Sequence, residues 1–149
     1  IRRLGVIALN VGLEFDIYGH ANSTHVAGVN LMNGIGGSGD FERNAWLSIF
    51  MAPSIAKDGK ISTIVPMCSH VDHSEHSVKA IVTEQGIADL RGLSPLQRAR
   101  AIIDNCAHPL YRDYLHRCLE SAPGGHIHHD LAHAFDLHRN LLEHGSMLG

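Results

Sequence analysis

Over the first ninety positions the apolar residues fall in short runs separated by polar or glycine-rich breaks. Leu4-Gly5-Val6-Ile7-Ala8-Leu9 is a continuous apolar run of strand length and reads as a buried strand. Leu13-Glu14-Phe15-Asp16-Ile17-Tyr18 alternates apolar and polar residues, the period-2 mark of a half-buried strand. Gly12 lies between these runs, so they are expected to form a hairpin-like pair. After the polar break Asn22-Ser23-Thr24-His25 and a glycine-rich stretch, Phe41 to Ala45 suits a short helix. Leu47–Met51, stopped by Pro53, Ile61–Val65, stopped by Pro66, and Val78–Thr83 read as three further strands. Lys57-Asp58-Gly59-Lys60 is a turn signal.

From residue 94 the period becomes helical. Ser94-Pro95-Leu96-Gln97 combines an N-cap serine, a proline at the first helical position and a glutamine at the third, a capping-box start. Ala99, Ile102, Ile103 and Cys106 follow at helical spacing, and Pro109 breaks the pattern. A second helix is predicted over Tyr111 to Glu120 and a last one over Asp130 to His144. The last carries Leu131, Phe135, His138, Leu141 and Leu142 on one stripe and stops at Gly145. The expectation is one α/β domain, strand-rich over 1–93 and helical over 94–145, with a sheet and flanking helices. In such sheets ligands bind beyond the carboxyl ends of the strands.

An apolar content of 44% supplies a real core, and a net charge of −3 argues against electrostatic binding of nucleic acid. No apolar run has membrane-spanning length, and the N-terminus lacks a signal-peptide layout. Cys68, Cys106 and Cys118 follow no recognisable spacing and fit small buried side chains in a reducing, intracellular setting. The chain starts abruptly at Ile1-Arg2-Arg3, directly before an apolar run, so an earlier part of a longer protein is expected to precede it.

The densest candidate for chemistry is Met32-Asn33-Gly34-Ile35-Gly36-Gly37-Ser38-Gly39-Asp40-Phe41. Its glycines let a ligand approach the backbone, and successive free N–H groups make a site for an anion or a developing oxyanion. Glu84, at the end of an apolar strand and before Gly86, has two readings. It projects into a site, or it caps a helix-like Ile87-Ala88-Asp89-Leu90. Lys57 and Lys60 either contact phosphate or decorate a solvated hairpin tip. His70, His73 and His76, and His126, His128, His129 and His133, have short spacings but no accompanying Cys pair or His-Glu-x-x-His pattern, so no metal is expected. Asp72 and Glu75 make the first group a polar loop with hydrogen-bonding roles.

Several motifs occur together and in order. They are Asn22-Ser23-Thr24-His25, the Met32–Phe41 loop, Ile64-Val65-Pro66 with Ser69-His70-Val71-Asp72-His73, and Val82-Thr83-Glu84-Gln85-Gly86-Ile87-Ala88-Asp89-Leu90-Arg91-Gly92. On these the chain resembles the C-terminal domain of the acetyl-CoA hydrolase/transferase family, which includes succinyl-CoA:acetate and propionyl-CoA:succinate CoA-transferases. The likeness covers nearly the whole chain and is densest from about 14 to 95.

The resemblance implies the α/β CoA-transferase fold and an enzyme of two similar halves, this chain being most of the second. It implies transfer of CoA between an acyl-CoA and a small carboxylic acid through a glutamyl-CoA thioester, with no metal. Gly37 N–H matches the oxyanion donor, within a CoA-contacting segment Gly36, Gly37, Ser38 and Gly39. Lys57 matches a CoA-contacting position, which turns the Lys57–Lys60 turn toward phosphate. Glu84 matches a second glutamate of the site, orienting or electrostatic in role. The nucleophilic glutamate is expected before residue 1, because no motif around Glu14, Glu42, Glu75 or Glu84 resembles its setting. The expected partners are the missing N-terminal half and further copies in a homo-oligomer, with no nucleic acid and no membrane. The expected location is the cytoplasm, or the mitochondrial matrix in a eukaryote. The alternatives are an acyl-CoA hydrolase and, in another class, a non-catalytic binding or assembly domain.

Overall fold

The computed structural model describes residues 4–149, so the abrupt start at Ile1–Arg3 lies outside the described residues. In chain order the elements begin with β1 (Ile7–Val11), β2 (Glu14–Asp16), β3 (Ala21–Asn22), β4 (His25–Val26) and β5 (Asn30–Leu31). Then come α1 (Ser38–Asn44), β6 (Leu47–Met51), β7 (Ile55–Ala56), β8 (Ile61–Ser62), β9 (Ile64–Val65), β10 (Ala80–Thr83) and β11 (Gly86–Asp89). The chain ends in α2 (Pro95–Cys106), α3 (Pro109–Ser121) and α4 (Asp136–His144).

The main sheet has the order β1-β6-β10-β11. β1, β6 and β10 run parallel, with Leu9 opposite Ile49 and Ile49 opposite Ala80, and β11 returns antiparallel to β10. A smaller sheet, β3-β2-β9, lies beside it, with two separate hairpins, β4-β5 and β7-β8. The core joins the sheets to α2 and α3 through Phe15, Phe50, Ile64, Ile81, Ile102, Ile103, Tyr111 and Leu115. Phe15 and Phe50 meet edge to face with ring centroids 6.0 Å apart.

The path from β1 to β6 returns through α1, which packs against both strands. A helix that carries the chain back between parallel strands runs opposite to them, so the first turn of α1 lies toward the carboxyl end of the sheet. The capping box holds α2 as expected: Ser94 Oγ accepts from Gln97 N at 3.4 Å, and Gln97 Oε1 accepts from Ser94 N at 2.9 Å.

Several expectations need correction. β1 and β2 are not a hairpin, because β1 pairs in parallel with β6 while β2 joins the smaller sheet. Gly12 is no turn glycine; a Cβ there would lie 2.4 Å from Phe15 Cζ, so its job is to let that ring pass under the backbone. The first apolar run is not a buried strand either, since Leu4, Ile7, Leu9 and Val11 are exposed and only Ala8 is buried. The alternation in β2 does not mark a half-buried strand: Glu14 and Asp16 are buried with Phe15, each bonded to protein partners.

Ile87–Leu90 is no helix, since Gly86–Asp89 forms β11 after a two-residue turn at Glu84-Gln85. A Cβ at Gly86 would lie 2.8 Å from Asn105 O, so the end of α2 abuts the start of this strand. Ile61–Val65 is two short strands broken at Thr63, whose hydroxyl donates to Pro53 O at 2.6 Å. The last helix starts at Asp136, and its expected stripe is exposed at Leu131, Phe135 and Leu142; of its members His138 is buried and Leu141 packs against the core, and Leu137, outside the stripe, is buried as well. Gly145 does end it, at φ +75°.

Replacing Phe50 by alanine is expected to cost about 3–5 kcal/mol, because the ring is fully buried between two sheets. Urea unfolding measures this, and a loss below about 1 kcal/mol would mean that the ring is not a core element.

Candidate active site

The glycine-rich segment is an exposed loop, residues 32–37, that runs into α1. Gly36 has φ +59°, the left-handed region that glycine enters without penalty. Gly37 sits at φ −90°, ψ 5°, as the N-cap of α1, and its carbonyl accepts from Asp40 N and Phe41 N, both at 3.1 Å. The N–H groups of Gly36, Gly37, Ser38 and Gly39 donate no hydrogen bond among the described residues. A Cβ at Gly37 would meet only the ring of the exposed Phe41, at 3.1 Å.

Both ends of the loop are fastened to one short segment. Asp72 accepts from Ser23 N at 2.7 Å, from Ser23 Oγ at 3.2 Å and from Thr24 Oγ1 at 2.8 Å. Thr24 O in turn accepts from Met32 N at 2.8 Å and Asn33 N at 3.2 Å, which sets the start of the loop. Burial raises the Asp72 carboxyl, but these bonds, with His70 nearby, outweigh it and hold the group below its ordinary range. At the other end Ser38 Oγ lies 3.0 Å from His73 Nε2. His73 Nδ1 is 2.8 Å from Glu42 Oε2, and both of these side chains are fully buried. The expected polar loop at 70–76 is thus the anchor of the glycine loop.

Glu84 lies where the turn after β10 leaves the sheet, at the carboxyl end of the parallel strands. Its carboxylate accepts from Ser54 N at 2.7 Å, from the Ser54 hydroxyl, and from Gln85 Nε2 at 3.0 Å. Partial desolvation raises this carboxyl, but the Ser54 and Gln85 bonds outweigh it and bring it down to about 2. Directly after Ser54 the chain enters the β7-β8 hairpin, where Lys57, Asp58 and Gly59 all have positive φ. For Lys57 and Asp58 that conformation costs about 1 kcal/mol each. The hairpin is tied back by Tyr111 OH to Gly59 O at 2.7 Å and by Met147 N to Lys60 O at 2.8 Å. Neither Lys57 nor Lys60 has an ion-pair partner among the described residues. Lys57 and Met32, the first loop residue, line one cleft of about 300 Å³ together with His25, Glu14 and Met147; Lys60 does not line it.

These motifs match a known family model, the acetyl-CoA hydrolase/transferase C-terminal domain, over residues 1–119. The chain belongs to that family. It is 90% identical over its whole length to propanoyl-CoA:succinate CoA transferase of Escherichia coli (strain K12), covering 30% of that protein. It is 60% identical to succinyl-CoA:acetate CoA-transferase of Clostridium kluyveri, over 98% of this chain and 28% of that one. The crystal structure of 4-hydroxybutyrate CoA-transferase from Porphyromonas gingivalis superposes with a TM-score of 0.61 at 33% identity, over 77% of this chain and 26% of that chain. The fold is therefore the CoA-transferase-like α/β fold, and the chain spans about 30% of the length of the curated relatives it matches.

Sequence reasoning singled out the glycine loop and Glu84 but missed the groups that hold them. Ser54 follows a proline after β6, and nothing local marks it as the partner of Glu84. Glu42 lies in a short polar stretch that reads as helix surface, yet it is fully buried. The remaining histidines serve other ends: His20 bridges Asp16 and Glu75, at 2.8 and 2.5 Å, and His133 pairs with Asp136 at 2.8 Å. Among the described residues no three His, Cys, Asp or Glu side chains converge as a metal site requires. The thiols of Cys68, Cys106 and Cys118 are pushed up by burial, Cys106 to about 11, so none is poised as a thiolate.

Replacing Ser54 by alanine removes one donor to Glu84 and is expected to move its carboxyl from about 2 toward its ordinary 4.5. A depressed carboxyl favours the folded state above its unfolded value, and that contribution fades as pH falls from about 4.5 to 2. The variant is therefore expected to lose stability at neutral pH, and its deficit relative to the parent shrinks as pH falls through that window. Carboxyl titration by NMR checks this, and an unmoved Glu84 would show that the Ser54 hydroxyl is not what depresses it.

Proposed function

We propose that this chain is the oxyanion-binding and CoA-contacting part of an acyl-CoA:carboxylate CoA-transferase. A glutamate carboxylate from the rest of the enzyme attacks the thioester carbonyl, expels CoA thiolate and leaves an acyl-glutamyl anhydride. The thiolate then attacks the glutamyl carbonyl, releases the donor acid as its carboxylate and leaves a glutamyl-CoA thioester. The acceptor carboxylate takes CoA by the reverse of these steps. Each attack places negative charge on a carbonyl oxygen.

The observation that carries the reading is the run of unpartnered N–H groups from Gly36 to Gly39, at the carboxyl end of the parallel strands. A fixed donor of this kind is worth about 3–4 kcal/mol to a developing oxyanion. The backbone angles at Gly37 do not demand glycine, and the one side chain that a Cβ there would meet is the exposed ring of Phe41. Close approach of the thioester is then the reason for glycine there. Lys57, on the same cleft as the start of the loop, suits a CoA phosphate, with Lys60 behind it on the turn. Glu84, fixed as a carboxylate by Ser54, orients and polarises without attacking.

The glutamates around the loop already have partners: Glu14 has Ser69 and His138, Glu42 has His73, Glu75 has His20 and Glu84 has Ser54. That supports an attacking carboxylate from outside this chain. The rest of the enzyme has a surface to meet. β1 is the edge of the main sheet, with Ile7, Leu9 and Val11 exposed, and a groove of about 650 Å³ separates it from Phe41 and Asn44 of α1. Further copies in a homo-oligomer belong to the same reading, and the three free cysteines support a reducing compartment such as the cytoplasm. The family description also admits hydrolysis, in which water replaces the acceptor acid. Supplying acetate or succinate with an acyl-CoA and watching for a new acyl-CoA separates the two.

In the full-length enzyme Gly37→Val is expected to slow turnover roughly 100- to 1,000-fold while leaving the unfolding midpoint nearly unchanged. Near-normal turnover would remove the oxyanion assignment. Lys79, on the face of it a surface residue, is a poor neutral control, because its ammonium donates to Ala45 O and Trp46 O at the end of α1. Arg100→Ala, on the exposed side of α2, serves instead.

Lys57→Ala is expected to weaken CoA binding several-fold at low salt and less at high salt, as screening removes the phosphate contact. Calorimetric titration at two salt concentrations reads this, and equal affinities for variant and parent would exclude the contact.

A further inference from the structure

We propose that His73 is a positioning residue for the oxyanion loop. It acts through Ser38, with Glu42 as its buried counter-charge. The proposal rests on the reading of Gly37 N–H as the oxyanion donor.

α1 has little stability of its own. It has seven residues, includes Gly39 and has no side-chain cap. Helices this short are marginal without tertiary support. Ser38 and Glu42 are four residues apart, hence on one face, and both reach the same imidazole. That imidazole is fixed from the other side. His73 N donates to Ala21 O at 3.0 Å, His73 O accepts from Ala21 N at 2.9 Å, and the ring lies against Phe50 with centroids 5.0 Å apart. His73 therefore staples the first turn of α1 to the smaller sheet and to β6.

Proton accounting supports a directed link. Ser38 Oγ is 2.8 Å from Ile35 O, which has no proton to give, so the hydroxyl donates there. His73 Nε2–H then donates to Ser38 Oγ. The second ring nitrogen lies 2.8 Å from Glu42 Oε2, an ion-pair contact that holds the ring against the inner face of α1. Neither Glu42 oxygen makes a hydrogen bond among the described residues, and His73 is the ion-pair partner the described residues give this buried carboxyl. The result is a chain of contacts from a rigid backbone bridge to the residue that follows Gly37. Misplacing a catalytic group by about 1 Å costs about 100-fold in rate, and this link fixes the end of the loop that leads into α1.

The test uses the full-length enzyme and steady-state kinetics with an acyl-CoA donor. Ser38→Ala cuts the link but leaves the His73–Glu42 pair intact. Its kcat is expected to fall 10- to 100-fold with KM for acyl-CoA within about twofold. Ser38→Thr restores the hydroxyl and is expected to recover most of the rate. His73→Gln combined with Ser38→Ala is expected to be no slower than the slower single variant, since both cut one link. Multiplied losses would mean that Ser38 acts on substrate by itself, and they overturn the proposal. So does a lowered unfolding midpoint with unchanged kcat, the outcome of a merely structural contact.

If His73→Gln does not fold, the Ser38 pair decides alone. A loss with alanine that threonine repairs supports the proposal, and no loss overturns it. Gly37→Val separates the two levels. An inactive Gly37→Val with normal Ser38 and His73 variants removes the positioning role only. A fully active Gly37→Val removes the oxyanion reading, and the positioning role with it.

Discussion

The structure hangs on the attachment of the Asp72-His73 segment to β3. Ala21 and His73 exchange both backbone hydrogen bonds, and the two adjacent side chains then reach in different directions. Asp72 takes the Ser23 and Thr24 donors, whose backbone holds the start of the glycine loop. His73 takes Ser38 and Glu42 at its end. A loop of exposed glycines has high conformational entropy, and no packing of its own holds it. Its shape is set by clamping both ends to a common rigid point. A buried carboxylate is costly unless fully bonded, so Asp72 with three donor groups is a firm clamp and a sensitive one.

That arrangement explains what was legible in the residues. Local signals were readable: Ser94 with Gln97, the Lys57–Lys60 turn and the stop at Gly145 each follow from the conformational preference of a few neighbouring residues. The glycine loop stood out by composition, and Glu84 by its place at a strand end. What could not be read depends on partners distant in the chain. Whether β1 pairs with β2 or with β6 is a choice between registers that hydrophobicity alone does not make. Ile87, Ala88 and Leu90, three apolar residues in four, suit a strand or a helix turn equally, and the sharp turn at Glu84-Gln85 decides between them. Glu42 looks like surface because its burial is made possible only by His73. The two-faced polarity of Glu14 and Asp16 was misread for the same reason, since their partners Ser69, His138 and His20 come from other segments.

Family membership fits this division. Three of the motifs that carry the resemblance supply the residues that clamp the loop: Asn22–His25, Met32–Phe41 and Ser69–His73. Asn22 Oδ1 accepts from Thr24 N and His25 N, which turns the chain so that Ser23 and Thr24 face Asp72. These segments form one hydrogen-bonded unit, so each constrains the identity of the others more than its own neighbours do.

A run of free N–H groups attracts any nearby carboxylate. In an enzyme whose attacking group is itself a carboxylate, a mobile glutamate close to the loop would bind the donors in place of the oxyanion and inhibit the site. The chain deals with this by engaging its own glutamates elsewhere. Glu14 and Glu42 are buried against histidines, Glu75 is held by His20, and Glu84 is fixed by Ser54 with its charge spread over three bonds. None of them bonds to the Gly36–Gly39 amides. On the proposed reading, an attacking carboxylate carried by another part of the enzyme would meet the donors only across a bound thioester, when the charge to be stabilised has moved to the carbonyl oxygen. Splitting nucleophile and oxyanion donor between separate segments, as proposed, would keep the donors selective for the transition state, the only condition under which such donors accelerate a reaction.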